Sequence, residues 1–128
     1  METHIDLPFS TAECCVGPTI HFAPGECRLK YDAEDESGGV VWTEIEFAGA
    51  LAIVYTPDAL VTAEMVEAYS KVSVRMDSPW IGSYRGQGRH PLPQGLKHFV
   101  VYFDHSGCVE ILAQSARLAE SGSIPTGT

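Results

Sequence analysis

The sequence predicts an α+β fold: an antiparallel sheet of five or six strands in consecutive hairpins, with one amphipathic helix packed on one face. Three observations predict it. Apolar and polar residues alternate through residues 26–33 and 40–47, the period of a half-buried strand. The spacing changes to i, i+3, i+4, i+7 at Met65, Ala68, Tyr69 and Val72, which is the stripe of a helix. The stretch HFVVYFDHSGCVEILAQ, residues 98–114, then reads as two strands around a turn.

Residues 1–24 contain Pro8, Gly17, Pro18 and Pro24 and little periodicity, so an irregular arm is expected, with a short strand at TIHF. In ECRLKYDA, Cys27, Leu29, Tyr31 and Ala33 share the inward face. EDESGG is a turn by composition, and VVWTEIEF places Val41, Thr43, Ile45 and Phe47 inward. A loop at 48–50 would fold LAIVYT back as a hairpin, pairing Phe47 with Leu51. Thr62 is a helix N-cap for residues through Val72. Ser78 and Pro79 repeat the signal for a short helix through WIGSY. Residues 85–97 are rich in Gly and Pro and are expected to be a mobile loop. The tail, 119–128, is expected to be disordered.

In the final hairpin, a loop at His105, Ser106 and Gly107 pairs Phe103 with Val109, Val101 with Ile111 and Phe99 with Ala113 on the core face. The other face then pairs Tyr102 with Glu110 and His98 with Gln114, and it reads as wet. Gly107 would take the left-handed bulge position. Most of the polar residues in this stretch are thereby explained without chemistry.

Length and composition bound the rest. A chain of 128 residues is one domain, 1–128, large enough to fold without a disulfide or metal. No apolar run approaches the roughly 20 residues of a membrane helix. METHIDLPFS lacks the basic and apolar regions of a secretory signal, so a cytoplasmic protein is expected. Cys14, Cys15, Cys27 and Cys108 should be free thiols there. The net charge is −9 and uneven: residues 1–70 carry thirteen acids and two bases. That balance repels nucleic acid and would steer a basic protein partner.

Two candidate surfaces follow. Asp32, Asp35, Glu36, Glu44 and Glu46 form an acidic partner-binding face. Arg85, Arg89 and His98, around the 85–97 loop, could close over a phosphate or carboxylate. No catalytic set, metal or cofactor is assigned. Cys14, Cys15, His21 and Cys27 lack the spacing that lets two thiolates clasp a zinc. Cys108 would face Asp104, whose charge opposes a thiolate.

The segments WTEIEFAGALA, AYSKV, DSPW and LKHFVVYFDHSGCVEILA resemble small single-domain bacterial proteins, among them acidic immunity proteins of polymorphic toxin systems. The resemblance is one of size, charge and α+β make-up, covers about half the chain, and carries no functional residue across. It implies a binding role. The expected function is therefore a non-enzymatic protein-binding domain of the acidic immunity type. The alternative is a small-molecule-binding domain or small enzyme with an anionic-ligand pocket near the 85–97 loop.

Overall fold

The computed structural model describes residues 1–11 and 17–123. Among them are nine strands, two short α-helices and a single 3-10 turn at Asp58–Leu60. The strands are β1 (Glu2–Asp6), β2 (Thr19–Ala23), β3 (Gly25–Glu34), β4 (Val40–Ala50), β5 (Ala52–Pro57), β6 (Lys71–Val74), β7 (Lys97–Phe103), β8 (Gly107–Ala113) and β9 (Ser115–Ser123). The helices are α1 (Ala63–Val66) and α2 (Pro79–Tyr84). All strand pairing is antiparallel, in two sheets of order β1-β6-β7-β8-β5 and β2-β3-β4-β9. No helix of the described residues is long and apolar enough to cross a membrane.

Strict alternation gives the second sheet its inner face. Cys27, Leu29, Tyr31 and Ala33 from β3 and Val41, Ile45 and Phe47 from β4 are buried. They meet Phe99, Val101, Phe103, Val109 and Ile111 from β7 and β8. Tyr31 lies edge-on to Phe103 at 5.3 Å, and Phe47 is tilted against Phe99 at 5.5 Å. Burying each of these large side chains stabilises the fold by about 1.5–3 kcal/mol.

The single sheet expected from sequence is two sheets because the chain does not reverse at 48–50. Gly49 sits at φ 67°, and β4 runs on into β5 across the boundary between the sheets. Leu51 is 48% exposed instead of pairing with Phe47. The strand pair β8–β9 makes the same crossing in the opposite direction, bonded to β4–β5 throughout. Leu51 N–H donates to Leu112 O, and Gln114 N–H donates to Ala48 O, so backbone pairing continues around the corner.

The expected long helix is one turn. Thr62 caps it, its hydroxyl accepting from Met65 N–H at 3.3 Å. Beyond Val66 the carbonyl of Ala68 accepts instead from Tyr102 N–H on β7, and Ser70 takes a left-handed φ of 55°. The segment 72–74, with β-branched Val72 and Val74, then pairs with β1 and β7 as a strand. Val72 reaches the core by strand alternation, so its helical spacing from Met65 is coincidental.

Two chain segments expected to be irregular are strands. The N-terminal arm supplies β1, an edge strand on β6, while the strand expected at TIHF forms as β2, joined to β3 by a Pro24–Gly25 turn with Gly25 at φ 89°. Residues 120–123 of the expected disordered tail pair with β4 as the end of β9, after a register shift that leaves Ala119 between pairs. The sequence carries no turn signal at Gln114, which hides that continuation. Residues 124–128, and Cys14 and Cys15, lie outside the described residues.

The β7–β8 hairpin forms with a register two residues from the expected one: Phe103 pairs with Gly107, Val101 with Val109 and Phe99 with Ile111. A shift of two preserves both faces. The loop is Asp104–Ser106, and His105 carries the left-handed φ of 63°. Gly107 keeps a positive φ, 126°, and a Cβ there would in addition collide with the Thr56 carbonyl of β5.

Candidate functional site

The outer face of β7–β8 is covered, not wet. Ala68, Val61 and Met65 pack over Val100, Tyr102 and Cys108. Farther along the same face α2 packs on β7, and His98 and Glu110 are 2% and 8% exposed. A polar group buried without a partner costs about 1–3 kcal/mol, so these two must be bonded. They are: His98 Nε2 lies 2.8 Å from Glu110 Oε1. The register explains the contact, since Val100 and not Tyr102 opposes Glu110 and His98 sits diagonally beside it.

The other ring nitrogen is used too. His98 Nδ1 lies 2.6 Å from Ser78 Oγ, and Trp80 packs edge-on against the imidazole at 5.1 Å. Ser78 is the N-cap of α2, its Oγ accepting from Ile81 N–H at 3.2 Å, with Pro79 at the first helical position as the sequence indicated. A carboxylate only accepts, so the ring proton belongs on Nε2, and Nδ1 accepts from the Ser78 hydroxyl. Ser78, His98 and Glu110 thus form one continuous hydrogen-bonded row.

This row opens onto a cleft of about 560 Å³ between β1, the end of β6, α2 and the start of β7. Arg75, Arg85 and Lys97 line it beside Ser78 and His98, against the acids Glu2 and Asp77. Arg75 is paired with Glu64 at 3.2 Å. Lys97 Nζ donates to the carbonyls of Gly95 and Gln114. Arg85 has no ion pair among the described residues.

The structure therefore brings together two of the three sequence-derived ligand residues, Arg85 and His98. Arg89 is exposed and does not line the cleft. Ser78 and Glu110 were legible only as a cap and a strand residue. The missed signal is that β7 and β8 are apolar on both faces, at Val100 and Leu112 as well as Val101 and Ile111, the mark of strands covered twice.

The acidic face is arranged differently. Glu46 pairs with both Arg28 and Arg117. Glu44 stands opposite Lys30, whose ammonium lies 4.2 Å over the Trp42 ring. Asp35 accepts from Ser37 N–H, Ser37 Oγ and Gly39 N–H, which ties the β3–β4 turn and holds its carboxyl below the usual value. Asp32 opposes Trp42, and Glu36 is exposed at the tip. Arg28 and Lys30 interrupt the acids along the strands.

Cys108 opposes Tyr102 and not Asp104. Burial pushes its thiol up to about 12, with the Glu110 charge adding to the effect. Burial pushes Cys27 up to about 11. Both are free and inert as nucleophiles at neutral pH. Among the described residues no group of three or more His, Cys, Asp or Glu could hold a metal. No protein-family model matches the chain, and no curated protein or solved structure matches it significantly.

Proposed function

We propose that the protein binds a small anionic ligand, a carboxylate or phosphate ester, in the cleft beside α2. The carrying observation is charge placement: a chain of net charge −9 gathers Arg75, Arg85 and Lys97 around one concave site. Arg85, free of any acid among the described residues, is the group that receives the anion, and a guanidinium suits the planar fork of a carboxylate or phosphate. His98 forms part of the floor. A cytoplasmic setting fits the free thiols of Cys27 and Cys108.

Calorimetric titration with citrate, inorganic phosphate and phenyl phosphate tests this. At least one should bind, and Arg85→Glu should weaken it by tenfold or more, the scale of about 1.5–3 kcal/mol for a bond to a charged group. Binding untouched by Arg85→Glu would place the ligand elsewhere.

A second reading, a basic protein partner for an immunity-type inhibitor, has support at the β3–β4 tip. Glu34 and Glu36 are exposed there and make no ion pair among the described residues. In this reading Asp35 and Glu36 supply the contact more than Glu44 and Glu46, which already face bases. Association slowed by salt and by Glu36→Lys would support it.

A further inference from the structure

We propose that Ser78 is a nucleophile for esters that carry a carboxylate, with His98 as its general base and Glu110 positioning the imidazole. The distances are those of an activated hydroxyl: 2.6 Å from Ser78 Oγ to His98 Nδ1 and 2.8 Å from His98 Nε2 to Glu110 Oε1. With the ring proton on Nε2, the lone pair of Nδ1 faces the hydroxyl proton it would accept. Trp80 and the strand floor hold the ring in that orientation. Ser78 and His98 both line the cleft, so an ester carbonyl seated there can meet the hydroxyl and the base together.

Capping alone does not account for this row. An N-cap serine needs only an acceptor lone pair, which Ser78 gives to Ile81 N–H. It does not need a histidine behind it, nor a buried glutamate behind the histidine. These two sit among Val100, Cys108 and Leu112, where apolar residues would bury at no polar cost. The second lone pair of Oγ remains available for attack.

The step balances without a cofactor. Ser78 Oγ bonds to the ester carbonyl carbon while its proton passes to His98 Nδ1. The tetrahedral oxyanion collapses, the C–O bond to the alcohol breaks, and the alcohol leaves with the proton from Nδ1. Water then adds to the acyl-Ser78 carbonyl, giving a proton to Nδ1. Collapse frees the acid and returns the proton to Ser78. The net change is ester plus water to acid plus alcohol. Arg75, Arg85 and Lys97 select an ester bearing a carboxylate, and this choice of substrate rests on the anion-binding reading above.

Two measurements on the whole protein test the proposal. A fluorophosphonate should form an adduct that peptide mapping assigns to Ser78. The protein should also hydrolyse 4-acetoxybenzoate about tenfold or more faster than neutral phenyl acetate, the scale of one charge-assisted contact. Ser78→Asn, which keeps a capping acceptor, Ser78→Ala and His98→Gln should each reduce turnover at least about a hundredfold. Glu110→Gln should lower kcat and leave KM unchanged, as expected of a group acting through the base. Absence of an adduct, or turnover by a folded Ser78→Asn protein equal to wild type, would overturn the nucleophile. An adduct on Ser78 with no preference for 4-acetoxybenzoate, and no effect of Arg85→Ala, would overturn the substrate choice and the anion reading while the nucleophile stands.

Discussion

The outward faces of β3–β4 and β7–β8 both carry charged residues on antiparallel strands, yet one faces solvent and the other is sealed. On β3–β4 the charges alternate with inward apolar residues, and Arg28, Lys30, Glu44 and Glu46 meet one another in water. On β7–β8 the outward positions between the polar residues are Val100, Cys108 and Leu112, so the face is apolar enough to attract α1 and α2. Coverage changes what a charge does. An exposed pair contributes about 0–1 kcal/mol and tolerates loss. A buried glutamate must be satisfied, and satisfying Glu110 brings His98 and then Ser78 into one row.

The sharpest test of this difference substitutes one glutamate on each face. Glu110→Ala should destabilise by about 2–3 kcal/mol, because it strands the buried Nε2–H of His98. Glu44→Ala should stay within about 0.5 kcal/mol. Denaturant melts of the two variants suffice, and equal effects would mean the β7–β8 face is open. Neighbouring valines give the next test. Val101 faces the main core and Val100 the α1 cluster. Each change to Ala should cost about 1–3 kcal/mol. A wet outer face would make Val100→Ala nearly neutral.

How far the sequence was legible follows the same division. β3 could be read to within a residue at each end and β4 at its start and inward face, though not its last three residues, because strict alternation has one explanation when one face is wet. The β7–β8 hairpin was legible in its core face but not in its register. Asp104, His105, Ser106 and Gly107 offer two similar three-residue loops, and the choice is made by β5 pressing on Gly107. The helix stripe at 62–72 misled because Met65, Ala68 and Val72 reach two different clusters by two different geometries. The corner at 48–51 depends on pairing with β9, which lies more than sixty residues later. Of the site, Arg85 and His98 could be named from their chemistry, whereas Ser78 and Glu110 meet only through the fold.

The thiols extend the comparison to reactivity, since Cys108 lies on the sealed face and Cys27 in the core between the sheets. Both should resist a thiol reagent at pH 8 in the native protein and react once it unfolds. Their folded values, about 12 and about 11, exceed the ordinary 9.0. Stability from the protonated thiols is therefore complete below about pH 9 and is lost as pH rises through 11 and 12. Melting curves across that range should fall, and Cys108→Ser would blunt the upper part of the fall. Rapid native labelling of Cys108 would show that α1 does not seal its face.

The smallest effect belongs to the wet side, at the tip of β3–β4. Asp35 is half-buried at the tip, and its carboxyl is held below the usual range first by the Ser37 hydroxyl and then by backbone N–H groups, Gly39 foremost. A depressed carboxyl stabilises the fold above its unfolded value, and the contribution is lost as pH falls through the folded one. Ser37→Ala removes the leading donor and leaves the backbone donors in place. The Asp35 carboxyl, followed by NMR titration, should then titrate at higher pH, still below an unperturbed aspartate. The melting temperature at neutral pH should hardly move, because water replaces the lost donor at an exposed site. A shift equal to that of Glu110→Ala in stability would mean the tip is buried against something, and the contrast between the two faces would fail.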